Sequence, residues 1–394
     1  MTVLRVATAA PRAFDPRARQ WIAVGASVVG VAAAGFGFAH DPARVWTNLL
    51  IDGFLLLALA LGGLAFLTIH HLSGAAWSTG MRRIAEALTA VLPLAAVAML
   101  MLFFGRTYLY PWATAAGAVT GGPGGGSWFF TTPAVFVRMA LLLAAWTACA
   151  AALRRASARQ DLSDAAIHQR TSVRGAAIFA VVFAWSFPIA AIDWLMSLSA
   201  EWTSTMFFVH VFAGVLVEGL AAVTLATVLL RERGFLRNVV NEHHLHDLGK
   251  LLLAFSSFWA YIWLCQYLLI WYGNLPEEAG YYQTRTRPDW LAWFALNVAV
   301  NWAVPFLVLL RRAAKRDART LKIVAIVLLL GRWIDLYLLV APETMRTATW
   351  GPLEIAIALG YAGIAWQVVS RALARRPLVV RHDPFLADCV QHHQ

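Results

Sequence analysis

The chain has 394 residues, of which 60% are hydrophobic and only 13% are charged. Because soluble domains carry roughly 25% charged residues, this composition excludes an ordinary soluble protein and predicts a polytopic membrane protein. The basic residues behind the net charge of +11 lie mainly in short segments between apolar runs. They therefore indicate the orientation of the helices in the membrane, and we predict no nucleic acid partner.

Ten apolar segments are long enough to cross a bilayer core of about 30 Å, which takes about 20 helical residues. The predicted helices are 20–40, 45–72, 81–110, 131–153, 174–199, 203–230, 250–273, 289–311, 318–341 and 349–373. The predicted fold class is therefore all-α, a polytopic transmembrane protein with a membrane domain over 20–373 and tails over 1–19 and 374–394. Small residues at four-residue spacing around Gly30 predict a close contact of the first helix with another helix.

The basic residues predict the orientation of these helices. On this helix map, 25 of the 32 Lys and Arg residues fall on one side, which the positive-inside rule makes cytoplasmic. Both tails are then cytoplasmic, and residues 1–19 lack the apolar core of a cleaved signal. The opposite side carries a Gly-rich stretch over 121–126, typical of a flexible linker. It also carries an aromatic loop over 275–290, which is either a docking surface or an ordinary solvated loop.

The stretch Phe187–Leu220 joins two apolar runs at a polar turn and carries Asp193, His210 and Glu218 inside those runs. An ionisable group inside an apolar helix is costly and indicates function by default. Helix direction and residue count place several such groups in one outer layer: Asp52, Arg138, Asp193, His210, Gln266, Asp335 and Glu354, with Arg332 one turn deeper. This layer predicts either a hydrated cavity or a set of ion pairs that fix helix packing.

Two members of this set have specific expectations. Asp193 has no basic partner on its own helix, so we expect it to exchange protons, whereas Arg332 and Asp335 share a helix face at i, i+3. Glu218 lies near mid-membrane, with threonines further along its helix and asparagines on the eighth helix. This arrangement predicts either a proton path or hydrogen bonds between helices. The proton-path candidates are Asp193, His210, Glu218, Asp52, Arg332, Asp335 and Glu354.

No redox centre is predicted in this chain. The three cysteines are far apart and form no CxxC or CxxCH motif, which disfavours iron–sulfur clusters and covalent haem. Of eleven histidines only His210 lies deep in the outer half of a helix, so no pair is placed to hold a b-type haem. The cluster over 243–247 is typical of surface histidines rather than of a metal site. A quinone or quinol is the one ligand we expect, and the contact candidates are Trp259, Trp263, Gln266 and Tyr267. The central position of Trp259 and Trp263 favours packing as the alternative role of these aromatic side chains.

Three strings carry a family resemblance: SFPIAAIDWLMSLSAEWTSTMFF, LGKLLLAFSSFWAYIWLCQYLLIWYGNLPEE and LGRWIDLYLLVAP. They resemble the NrfD-like family of polytopic membrane proteins, and within it the ActF-type subunits of alternative complex III, a quinol:cytochrome c oxidoreductase. The resemblance covers nearly the whole chain and implies two four-helix bundles plus two further helices, in a bacterial cytoplasmic (inner) membrane. Asp193, Arg332 and Asp335 lie in the matching strings as polar family residues.

The resemblance also implies partners and a role. The partners are a sister NrfD-like subunit, an iron–sulfur subunit, multihaem cytochrome c subunits and, in some assemblies, a terminal oxidase, so the clusters and haem c belong to partner subunits. In that family quinol oxidation is assigned to the sister subunit, and the ActF type is credited with a proton route and with assembly. The alternatives are a purely structural scaffold and an independent secondary transporter. The absence of broken helices in symmetric halves disfavours the transporter.

Overall fold

The computed structural model describes residues 20–114, 128–163, 166–199, 202–345, 347–380 and 382–393. All regular structure in these ranges is helical, and ten helices there are long and apolar enough to cross a membrane, which confirms the predicted all-α polytopic fold. The ten are α1 Gln20–His40, α2 Pro42–Leu72, α3 Ala76–Met101, α4 Thr132–Gln160, α5 Ile167–Leu198, α6 Phe207–Glu232, α7 Glu242–Gly273, α8 Pro288–Leu309, α9 Ala318–Thr344 and α10 Pro352–Ala374.

Four helices, α3, α4, α5 and α7, depart from the predicted boundaries by more than a few residues, and for α3 and α7 the local reason is clear. The continuous helix predicted over 81–110 is wrong, because α3 breaks before Leu92, continues with Pro93 in its new first turn, and ends at Met101. A proline lacks a backbone N–H and fits best in a first turn. α7 begins at Glu242 rather than 250, because the Asn241 side chain accepts hydrogen bonds from the first amides of the helix.

α8 carries an irregularity in its middle. Residues Ala299–Ala303 form a π-helical turn, and Pro305 follows in the next α-helical segment. Such turns are rare and are frequent at functional sites. This one carries Asn301 and lies directly after Asn297, both of which take part in the polar cluster described below.

The helices form two groups of four. α2 to α5 pack on one another, α6 to α9 form the second group, and α1 pairs along its length with α10. α2 lies between the groups and contacts both α6 and α9, while α10 rests on α2 and α3. This packing matches the arrangement that the family resemblance implied, and it sets the inner faces of α2, α6 and α9 against each other.

Two glycine contacts set the closest helix crossings. A Cβ at Gly30 would lie 2.5 Å from the Cα of Gly360, so α1 and α10 meet backbone to backbone as the small-residue spacing predicted. A Cβ at Gly62 of α2 would lie 2.6 Å from the Cα of Gly219 on α6. This second crossing joins the two groups of helices, one residue beyond Glu218.

Candidate functional site

A buried ionic cluster connects α6, α8 and α9. The Oδ2 atom of Asp335 accepts a hydrogen bond from Arg332 Nη2 at 2.7 Å and lies 3.3 Å from His210 Nε2. Its Oδ1 atom accepts from Asn297 Nδ2 at 3.0 Å. All four residues are at most 3% exposed. Three partners on one carboxylate compensate the cost of burying its charge, so the cluster is electrostatically complete at Asp335.

Arg332 extends this cluster toward the centre of the protein. Its guanidinium lies beside Gly214 of α6 and 5.7 Å from the ring centroid of Trp259, a favourable cation–π distance. Its Nε and Nη1 atoms are buried and have no hydrogen-bond partner within the described ranges. Glu218 follows one turn after Gly214 on the same face of α6 and lies in the field of Arg332. The ionisable side chains thus run from His210 to Glu218 across the α6–α9 interface.

A cavity of about 20 Å³ adjoins the His210 and Asp335 end of this cluster. Gln266, Tyr281 and Tyr282 also line it, so its walls are rich in hydrogen-bonding groups. A space of about this size holds one water when two to four polar groups surround it. The structure therefore provides a place for a water molecule in contact with the ionic cluster.

The segment after α7 forms the wall of this cavity rather than a solvated loop. Residues Pro276–Arg285 form a short helix, and its last residue, Arg285, is buried. The Arg285 guanidinium donates to the carbonyl oxygens of Leu338 and Leu339, at 2.9 and 3.1 Å, and lies 3.4 Å from the Tyr281 ring centroid. Burial raises the pKa of Tyr281 and of Tyr282, so both phenols stay protonated.

The polar cluster continues along α8 but not along α6. Asn301 Nδ2 donates to Asn297 Oδ1 at 2.7 Å and to the carbonyl oxygen of Gly331 at 2.9 Å. On α6, Thr227 donates to a carbonyl of its own helix, and the Thr224 hydroxyl has no partner among the described residues. The sequence predicted that polar groups continue along both α6 and α8. Among the described residues they form a hydrogen-bonded connection on α8 and do not form one on α6.

The aromatic residues of α7 pack as a ladder. The ring centroids of Trp259 and Trp263 lie 6.3 Å apart, and those of Trp263 and Tyr267 lie 5.8 Å apart with nearly parallel planes. Phe294 of α8 closes on Trp263 at 5.1 Å. Trp263 and Gln266 reach the small cavity, which has room for a water molecule and not for a quinone ring. This geometry favours packing for the aromatic set, and the quinone contacts stay a prediction.

Two other predicted residues form separate ion pairs. Asp193 of α5 accepts from Arg138 Nε at 2.8 Å and from Arg138 Nη2 at 3.0 Å. Glu354 of α10 accepts from Arg44 Nε at 2.6 Å and from Arg44 Nη2 at 2.7 Å. The outer layer expected from helix depth is thus divided among several pairs. The basic partner of Asp193 is Arg138 on a neighbouring helix; helix depth placed both in the outer layer, and the sequence did not show that they pair.

Asp52 and Glu218 line a second, larger cavity of about 300 Å³ between α2, α6, α9 and α10. Sequence reasoning missed Tyr361 in this cavity, as it missed Tyr281, Tyr282 and Arg285 in the smaller one. The buried pair of tyrosines and an arginine in one short loop was the available signal, since such residues rarely stay solvated together.

The chain matches no model of a known protein family and no curated protein. A helical membrane fold does not by itself define an activity, because one fold carries many functions. The chemistry of the buried cluster and its cavities therefore bears on function where the fold alone does not.

Proposed function

We propose that this chain is an integral membrane subunit of a quinol:electron-acceptor oxidoreductase of the alternative complex III type. In this role it conducts protons through buried side chains, carries no redox centre of its own, and lies in a bacterial cytoplasmic membrane. The observation that carries the proposal is the contact of His210 and Arg332 with one buried carboxylate, Asp335, beside a water-sized cavity.

The composition of the cluster suits proton transfer better than packing alone. A buried Arg–Asp pair is sufficient to join parts of a helix bundle, and it needs no third ionisable group. His210 adds an imidazole, whose two nitrogens can donate and accept hydrogen bonds at the same time, and it lines the cavity together with Asp335. A titratable side chain, a carboxylate and a space for water in direct contact are the parts that a proton relay needs.

The partners in this proposal follow from the resemblance of the three sequence strings. An iron–sulfur subunit and multihaem cytochrome c subunits carry the electrons, and a sister NrfD-like subunit shares the membrane plane. The chain is then a proton-conducting and assembling subunit. The ion pairs Arg138–Asp193 and Arg44–Glu354 favour the second candidate function, a structural scaffold, because both are bidentate and neither lines one of the two cavities.

Replacing His210 with Gln in the intact complex separates these functions. The complex is purified, reconstituted into vesicles and supplied with a short-chain quinol and cytochrome c, and turnover and protons released per electron are measured. We expect His210→Gln to assemble but to lose most turnover or proton release, because glutamine accepts hydrogen bonds without titrating. His40→Gln is the matched control, since His40 is exposed at the end of α1. Unchanged turnover and proton release in assembled His210→Gln would establish the scaffold function instead.

A further inference from the structure

A narrow slot lies between α2, α6 and α7, at the end of the bundle that the basic residues assign to the cytoplasm. It encloses about 210 Å³ and shares no lining residue with the two cavities described above. Its lining on α2 and the residue after this helix runs from Gly62 to Ser73, a distance of about 17 Å. This length is close to half of a bilayer core of about 30 Å, so the slot has the depth of one lipid leaflet.

The slot is closed at its deep end and open along one side. Gly62 meets the backbone of Gly219 where α2 crosses α6, and this crossing ends the slot inside the membrane. Both α2 and α7 pack on α6, but among the described residues they make almost no contact with each other. Ile69 on the rim is 44% exposed, and Leu251 and Phe255 are half-buried. The gap between α2 and α7 therefore opens on lipid.

The walls of the slot below its mouth are apolar. They are formed by Phe66, Ile69, Leu216, Leu220, Leu251 and Phe255. Water does not fill apolar space of this kind, whereas a hydrocarbon chain does. The volume is below the range of roughly 300–1,000 Å³ that is usual for small-molecule pockets. A long, narrow, apolar slot of this size accommodates part of one hydrocarbon chain better than it does a ring system.

His70 lies at the mouth of the slot in a fixed orientation. Its Nδ1 atom lies 2.7 Å from the carbonyl oxygen of Phe66, which can only accept, so Nδ1 carries a proton. The ring centroid lies 4.0 Å from that of Phe66 and 5.1 Å from that of Trp77. These contacts leave Nε2 as the free edge of a ring that lines the slot.

Nε2 of His70 is a buried acceptor that calls for a donor. No carboxylate pairs with His70 within the described ranges, and Arg82 lies near enough to oppose a second positive charge, so the ring is neutral. With the proton on Nδ1, Nε2 holds a lone pair. The side chain is 6% exposed, and Nε2 has no hydrogen-bond partner in the part of the chain that the structure describes. Buried polar atoms rarely stay unsatisfied, so a ligand with an N–H or O–H group fits this position.

The mouth also offers donors and carries no net charge. Ser73 contributes a hydroxyl and Trp77 an indole N–H to the same end of the slot. Tryptophan is enriched at the level of lipid head groups. None of the lining residues is a Lys, Arg, Asp or Glu. The mouth therefore suits a head group that has both an acceptor and a donor and whose own charges cancel.

We propose that this slot binds phosphatidylethanolamine of the cytoplasmic leaflet. One acyl chain lies between α2 and α7, the ammonium group donates to His70 Nε2, and the phosphate accepts from Ser73 and Trp77. Phosphatidylcholine has the same charges but no N–H group, and phosphatidylglycerol brings a negative charge that no lining residue compensates. The site involves neither cavity of the ionic cluster, so it does not depend on the proposed function.

Native mass spectrometry of the delipidated full chain in detergent tests this binding. The chain is titrated with phosphatidylethanolamine, phosphatidylcholine or phosphatidylglycerol, all with identical acyl chains. We expect one phosphatidylethanolamine per chain, bound about tenfold more tightly than either other lipid, because one hydrogen bond from a charged donor is worth about that factor. Equal affinity for phosphatidylethanolamine and phosphatidylcholine, or tighter binding of phosphatidylglycerol, would overturn the proposal.

His70→Phe tests the acceptor itself. Phenylalanine keeps the aromatic packing against Phe66 and Trp77 but has no lone pair, so this variant should bind phosphatidylethanolamine and phosphatidylcholine equally. The matched control is His40→Phe at the exposed end of α1, which should keep the tenfold preference. A folded His70→Phe variant that keeps the preference would contradict the assigned role of Nε2.

Two variants that fill the slot test where the acyl chain lies. Leu251→Trp fills it from α7 and Leu220→Phe fills it from α6, and at least one folded variant should lose the tightly bound lipid. Leu330→Trp is the control, because Leu330 is 62% exposed on α9, and it should bind lipid as the parent does. Unchanged affinity and preference in both filled variants would place the lipid elsewhere on the bundle and overturn the proposal.

Discussion

The Arg332 guanidinium lies so close to Gly214 that a Cβ at position 214 would be 2.1 Å from its Nη2 atom. The missing side chain on α6 therefore provides the space in which Arg332 reaches Asp335 on its own helix. A glycine in a helix interior costs roughly 1 kcal/mol relative to alanine. The ion pair between Arg332 and Asp335 offsets this cost, because any side chain at position 214 would occupy the space of the Arg332 guanidinium.

Gly214→Ala should accordingly destabilise the protein, although alanine is the better helix former. The methyl group displaces Arg332 and leaves Asp335 with His210 and Asn297 alone, and breaking buried charge pairs in this way costs about 3–5 kcal/mol. The melting temperature of the purified chain in detergent measures the effect. Gly35→Ala is the matched control, because a Cβ at Gly35 meets no atom within 4 Å, and it should not lower the melting temperature. Equal melting temperatures for the two variants would show that Arg332 has another low-energy position.

The Arg138–Asp193 pair predicts a different response. Arg138→Met leaves the fully buried Asp193 without a partner and should lower stability by about 3–5 kcal/mol. The double variant Arg138→Met with Asp193→Leu removes both charges and should recover most of that loss, as apolar replacements of buried pairs do. Melting temperatures of the two single variants and the double variant measure the coupling.

Turnover of the same double variant then tests the sequence-based expectation for Asp193. Residue spacing alone made Asp193 the choice for proton exchange, whereas its bidentate partner on α4 favours a structural clamp. A stable double variant with normal turnover in the complex would assign this pair to packing. A stable double variant without turnover would restore Asp193 to the proton route.

Sequence reasoning was effective where a residue's environment depends on its own helix. The ten spans follow from apolar length, and Arg332 with Asp335 follows from i, i+3 spacing. Partners on other helices depend on rotation and crossing, which the sequence does not encode locally. The Arg138–Asp193 pair and the Gly62–Gly219 crossing are of this kind. The two cavities could be predicted least of all from the sequence, because each is lined by residues from four or more segments of the chain.

The C-terminal segment gives a prediction outside the membrane. Cys389 is fully buried, with its Sγ atom 3.3 Å from the Trp77 carbonyl oxygen, and burial raises the pKa of its thiol to about 11. Because the thiolate is the reactive form, maleimide labelling of Cys389 at pH 7.5 should be slow. Asp383→Asn weakens the ion pair with Arg82 that holds this segment on the start of α3, and should speed labelling at least tenfold.

The control for this labelling is a second aspartate of the same segment. Asp388 is exposed, so Asp388→Asn should leave the labelling rate unchanged. Cys149 and Cys265 are replaced by alanine in all variants, so that Cys389 is the single reporter. Fast labelling in the parent protein would mean that the segment leaves this position readily in solution.

The last prediction concerns the orientation of the whole bundle. α1 and α10 run antiparallel, because Gly30 meets Gly360 while Gly37 contacts Leu353, so residues 20 and 374 lie at the same end. The bias of Lys and Arg assigns that end to the cytoplasm, and it assigns the α8–α9 connection with Lys315 and Arg316 to the same side. Lys315 supports this connection by donating from Nζ to the carbonyl oxygen of Leu309 at 2.6 Å.

Reporter fusions at Gly124 and Arg316 test this orientation. An alkaline phosphatase fusion should be active at Gly124 and inactive at Arg316, and a fluorescent protein that folds only in the cytoplasm should give the opposite result. If the two positions report the same side, the helix map is wrong. If they report opposite sides with inverted sign, the water-sized cavity beside His210 lies in the half of the membrane nearer the cytoplasm, and a relay through Asp335 would take protons up rather than release them.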